Sequence, residues 1–128
     1  MAEGSFPCPC CGHLVFGGPP GSDEICPICY WEDDVVQLRW PDFEGGANHP
    51  SLWQAQRNYE TFGACDQAAL AYVRSPRDED VIEPGWRILT DADTVMAAPP
   101  LAAEPASWPS DLTELYWWRF PLRRSGAT

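Results

Sequence analysis

Apolar positions recur at helical spacing most clearly in the middle of the chain. Leu52, Ala55, Tyr59 and Phe62 share one face of a helix expected over about residues 51–63. Ser51 suits its N-cap, Gln54 stands where a capping box places it, and Gly63 suits the C-terminal stop. A second helix is expected over about 66–74, capped by Asp66, with Leu70 and Val73 facing inward and Pro76 beyond its end. In that frame Cys65 and Leu70 form a hydrophobic staple, so Cys65 is expected to pack as a small apolar residue. Strand-like segments are short: Leu14–Phe16, Trp40 with its neighbours, and Arg87–Leu89.

Before residue 51 the informative residues are cysteines. Cys8-Pro9-Cys10-Cys11-Gly12 and Cys26-Pro27-Ile28-Cys29 place two C-x2-C pairs fourteen residues apart, close to the spacing of four-thiolate zinc sites. A tetrahedral ion needs two sulfurs from one tight turn. Proline fixes φ just after the first ligand, and glycine after the second permits the positive φ that turns the backbone toward the sulfurs. Two such knuckles facing each other make a zinc-ribbon or rubredoxin-like unit. Cys8, Cys11, Cys26 and Cys29 are therefore the expected ligands of one Zn2+ per chain, with iron as the alternative occupant. Four thiolates close the coordination sphere, which points to a structural metal. Disulfides are the competing reading, disfavoured in a reducing compartment. A shifted ligand pair, Cys10 with His13, also satisfies metal geometry. Otherwise Cys10 is a free thiol, either reactive or an inert filler of the turn. His13 is expected beside the site or facing solvent, and His49 in a loop.

Beyond the second knuckle the chain reads Cys26-Pro-Ile-Cys-Tyr-Trp-Glu-Asp-Asp34, and then Gly45-Gly-Ala-Asn48 ahead of Ser51-Leu52. With the opening Cys-Pro-Cys-Cys-Gly, this combination resembles the bacterial cysteine-rich CPCC family. The resemblance runs from about Phe6 to Gly63, extending more loosely through Val73-Arg74-Ser75-Pro76 and Asp78-Glu79-Asp80. It implies a small metal-binding protein and carries no agreed activity. Glu32-Asp33-Asp34 is read as a solvated loop, since consecutive acids face different directions, with a second divalent cation or a basic partner as the alternative. Trp31 and Trp40 are expected to pack over the knuckles.

The fold expected from these features is a small α+β metal-stabilised domain: a double knuckle, two short helices and an irregular C-terminal arm. Residues 1–90 form the zinc-binding domain, with the ribbon over 6–45. Residues 91–128 form an Ala/Pro-rich linker and an aromatic segment. Trp108, Tyr116, Trp117, Trp118, Arg119 and Phe120 make that segment the densest aromatic cluster of the chain. It either packs back on the core or serves as a protein-docking surface.

Composition narrows the function. The 128 residues are 45% hydrophobic, enough for a small core of the size that often recruits a metal. Nineteen acids oppose eight bases, all Arg, giving a net charge of -11. Such a chain is repelled by nucleic-acid phosphates and anionic membranes, so neither is an expected partner. No apolar run spans a bilayer and no signal-peptide pattern opens the chain, so a cytoplasmic location is expected. No nucleophile–base pair, phosphate loop or H-E-x-x-H motif is present. The expected function is a non-catalytic, zinc-stabilised protein-binding or adaptor module. The alternatives are a redox or thiol-reactive protein, through iron or Cys10, and a nucleic-acid-binding ribbon, which the charge disfavours.

Overall fold

The computed structural model describes residues 6–94 and 108–119. Phe120 and most of the Ala/Pro-rich linker lie outside the described residues. The architecture is small and α+β. Strand β1 (Phe6–Pro7) pairs antiparallel with β2 (Leu14–Phe16), with Phe6 opposite Phe16, Pro7 opposite Leu14 and an irregular register between them. The first cysteine turn is the loop of this hairpin. Residues 81–83 run along the other side of β2: Leu14 N donates to Val81 O, and Glu83 N to Gly12 O.

Two helices follow the second cysteine turn. Helix α1 (Val35–Arg39) is a single short element that sequence reasoning missed, and Trp40 is its C-cap and not part of a strand. Asp34 caps it, accepting from Val36 N at 2.8 Å and Gln37 N at 3.3 Å. Two β-branched residues at its start hid the helix, although Asp34 followed by Gln37 has the spacing of a capping box. Helix α2 (Leu52–Phe62) matches the expected span. Ser51 Oγ accepts from Gln54 N, and Gly63 closes the helix at φ 91°. Its buried face is Leu52, Ala55 and Gln56, with Tyr59 and Phe62 half-buried alongside.

The second expected helix is instead a 3-10 segment, Gln67–Tyr72, and Asp66 makes no capping hydrogen bond. Ala69 is the buried residue, whereas Leu70 is 44% exposed, so the expected staple and inward Leu70 are both corrected. The segment is tied at both ends to the second cysteine turn, by Cys65 N to Cys29 O and Arg74 N to Pro27 O. A 3-10 helix rises about 2.0 Å per residue, more than an α-helix, and so stretches further across the turn it covers. Arg87–Leu89 forms no strand. It leads into the short helix α3 (Asp91–Thr94).

Three amides join these pieces from inside. Gln37 is fully buried, and its Nε2 donates to the carbonyls of Phe43, Asn48 and Pro50. Its Oε1 accepts from Asn48 N and Nδ2, while Asn48 pairs with both Glu32 N and Glu32 O. Gln56, also fully buried, donates to Pro9 O at 2.9 Å and accepts from Leu89 N at 2.8 Å. Buried amides persist because each is satisfied.

The C-terminal aromatic segment is docked. After a 3-10 turn (Leu112–Leu115), Tyr116 and Trp117 enter the same apolar cluster as the cysteines, and Trp117 is 0% exposed. Trp117 Nε1 donates to Arg87 O at 3.0 Å. Trp118 stacks on Tyr116 and also bonds Glu83, which Arg119 holds in an ion pair at 2.6 Å. Trp108 stays exposed, edge-on to Trp40 with the Arg39 guanidinium 4.6 Å from its ring.

Two outcomes follow from this packing. Trp117→Ala is expected to cost about 4 kcal/mol in chemical denaturation, the range for emptying a buried aromatic site. Asn48→Ala, which strips the partners from the Glu32 backbone and from one side of Gln37, is expected to cost about 2–3 kcal/mol by the same measurement.

Candidate metal centre

The two cysteine turns share the same two backbone hydrogen bonds. In the first, Cys8 N donates to His13 O at 2.8 Å and Gly12 N to Cys8 O at 2.6 Å. In the second, Cys26 N donates to Trp31 O at 2.9 Å and Tyr30 N to Cys26 O at 2.8 Å. The flanking residues also correspond: Pro7 lies opposite Leu14, and Ile25 opposite Glu32. Both turns place the residue after the second cysteine in the left-handed region, Gly12 at φ 84° and Tyr30 at φ 75°. At Gly12 a Cβ would stand 2.6 Å from the Trp86 ring, so that indole covers the first turn closely.

The turns converge. The sulfurs of Cys8, Cys11, Cys26 and Cys29 all lie within 4.8 Å of one another, and all four residues are buried. Cys8 Sγ is 3.5 Å from Cys29 Sγ, and Cys11 Sγ is 3.7 Å from Cys26 Sγ. A disulfide needs about 2.05 Å, and all six cysteines are free thiols. A tetrahedral ion with sulfurs about 2.3 Å away sets the sulfur–sulfur edge at about 3.8 Å. The donor set and its spacing therefore fit a metal ion, which these four residues can hold.

Electrostatics favours the same reading. Burial pushes the Cys8, Cys11 and Cys29 thiols well above the ordinary cysteine range. Burial also opposes ionisation of Cys26, but hydrogen bonds from Cys11, Cys29 and Cys8 outweigh it and hold Cys26 well below that range. The backbone N–H groups of Ile28 and Cys29 add to this by donating to Cys26 Sγ. Without a cation among them the four sulfurs therefore do not ionise together, and a bound cation is what would let all four become thiolates.

Cys10 occupies the place in the first turn that Ile28 occupies in the second, and both are buried. It packs where its counterpart is plainly apolar. Cys65 lies over the second turn, and burial pushes its thiol up to about 12. Neither belongs to the converging set among the described residues. His13 is buried, with no hydrogen-bond partner at Nδ1, and His49 is exposed in its loop.

Two acids of the block after the second turn, Asp33 and Asp34, are structural and not solvated. Asp34 is the α1 cap and also accepts from Ala47 N at 2.7 Å. Asp33 is 2% exposed, with Oδ2 accepting from Ser22 Oγ at 2.7 Å and Ser22 N at 3.2 Å. Serine and aspartate eleven residues apart leave no local signature, which is why the pairing was missed. Trp31 is fully buried in the cysteine cluster, as expected of it. Trp117 and Tyr116, by contrast, lie in the core and not on a surface.

Fold and site together define a small α+β protein built around a buried four-cysteine cluster. The sequence profile of the cysteine-rich CPCC family matches residues 6–80, and the chain belongs to that family. No curated protein matches the chain. Among the described residues, no helix is long and apolar enough to cross a membrane.

Asp33 gives this region a pH dependence of known sign. Burial raises its carboxyl to about 6 against the pull of the Ser22 bonds. A raised folded-state value means that the stabilising proton is fully in place below about pH 4 and is lost as pH rises through 6. Asp33→Asn keeps an oxygen for Ser22 and removes the charge. It is expected to be more stable than the parent at pH 7.5, by on the order of 2 kcal/mol, with the difference fading toward pH 4. Paired denaturation curves across that range check it, and a variant less stable at pH 7.5 would refute it.

Proposed function

We propose that the chain is a zinc-ribbon-like protein in which one Zn2+, held by Cys8, Cys11, Cys26 and Cys29, is a structural staple and the folded surface serves protein binding. The observation that carries this reading is the convergence of four buried sulfurs from two equivalent turns. Zinc is favoured because closed four-thiolate sets are its usual structural environment. When bound, the ion neutralises the thiolate charge and ties the two turns together. Structural zinc supplies roughly 10–16 kcal/mol of apparent binding energy near neutral pH, comparable to the stability of a small domain. Burial of all four ligands leaves no obvious approach for a substrate, in keeping with a non-catalytic role. The net charge of -11 disfavours nucleic acid as the partner.

Elemental analysis of the purified chain, with thermal melts before and after chelation, tests the proposal. One zinc per chain and a collapsed transition on chelation are expected. Cys29→Ser and Cys8→Ser should lose the metal and unfold the N-terminal half, whereas Cys10→Ser and Cys65→Ser should keep it. Full metal content in Cys8→Ser would overturn the ligand set in favour of Cys10 with His13. A coloured, iron-containing sample would move the function to electron transfer.

A further inference from the structure

The equivalence of the two cysteine turns exposes one difference between them. At the left-handed position the first turn has Gly12, covered by the Trp86 indole. The second has Tyr30, at φ 75°, a backbone conformation that a residue with a Cβ adopts only at a cost. Among the described residues no indole ring pairs with it. Instead Tyr30 stacks on Tyr72, with ring centroids 5.2 Å apart, and both rings remain exposed, Tyr72 by 65%. Ile25 and Leu70 are exposed as well.

These rings border a cavity of about 410 Å³ between the second turn, the loop at 47–50 and the 3-10 segment. That volume is in the range of ligand pockets. Its wall carries two carboxylates, Glu32 and Asp66, and no Arg. Neither side chain makes a hydrogen bond or ion pair among the described residues, and Asp66 stands at an N-cap without capping it. His49 adds a further polar group and Cys65 lies at the wall. The positive φ at Tyr30 belongs to the turn, but the paired exposed rings and the uncommitted carboxylates in one cavity have no account in the packing of the core.

We propose that this groove binds a basic segment of a partner protein, with an Arg or Lys head between Glu32 and Asp66 and its aliphatic stem along the Tyr30–Tyr72 pair. Arginine heads favour aromatic faces and carboxylates together, and their stems cover apolar surface. The net charge of -11 draws such a segment toward the protein at long range. The inference deepens the protein-binding part of the proposed function and rests on it.

The test uses the full metal-loaded chain and a short fluorescein-labelled peptide of arginine, leucine and serine, followed by anisotropy. The same peptide with glutamate for arginine is the control. Binding of the basic peptide alone is expected, weakening as salt rises. Glu32→Gln with Asp66→Asn, and separately Tyr72→Ala, should each weaken it about tenfold or more. Asp78→Asn with Glu79→Gln removes two exposed acids elsewhere and should leave affinity nearly unchanged. Tyr30→Gly is the sharpest variant: it should lose the same affinity while keeping the metal and melting no lower than the parent, since glycine relieves the strained φ.

No binding up to about 1 mM peptide, equal losses in the Asp78/Glu79 control, or self-association of the chain through these residues would each overturn the groove assignment. Metal content and chelation melts, run on the same samples, separate the two failures. A normal one-metal chain without peptide binding sinks the groove alone. A chain indifferent to chelation sinks the zinc reading and leaves the peptide result standing.

Discussion

Four cysteine sulfurs within 4.8 Å of one another are the constraint around which the rest of this protein is arranged. Each six-residue turn brings two sulfurs to the cluster and leaves some of its backbone carbonyls to accept from other elements. Other elements attach to these turns and to the residue beside the second. Gln56 of α2 holds Pro9, the start of the 3-10 segment holds Cys29, Arg74 holds Pro27, and Asn48 holds Glu32 beside the second turn. Two-residue and three-residue strands cannot supply a stable sheet by themselves. The turns serve as the scaffold, and the sheet and helices are fittings on it.

Much of this was legible in the sequence because it is local. Cysteine spacing with proline and glycine specifies a turn within five residues, and Ser51, the apolar stripe and Gly63 specify a helix within thirteen. What stayed hidden is what depends on distant partners. The buried roles of Asp33, Gln37 and Gln56 are set by Ser22, Asn48, Pro9 and Leu89, and no period in the sequence announces them. The 3-10 segment shows the opposite error. Asp66, Leu70 and Val73 carry a helical pattern, but anchoring both ends of the stretch to one turn overrode it.

The repeated geometry of the turns also shows how one backbone serves two environments. Cys10 and Ile28 fill the same buried place with different chemistry, which is why a third cysteine beside a C-x2-C pair need not join its site. The acids divide in a similar way. Asp34 caps a helix and Asp33 bonds Ser22, while Asp80 pairs with Arg74 and Glu83 with Arg119. A large negative charge thus coexists with specific structural use of individual carboxylates.

Trp117 sits in the cluster that contains the metal-site cysteines, although it lies far along the chain from them. On a ribosome the two turns emerge before this indole does. The turns are thus made while the apolar cluster around their sulfurs still lacks Trp117. A metal held by these four cysteines would then meet an open site before Trp117 joins the cluster around them.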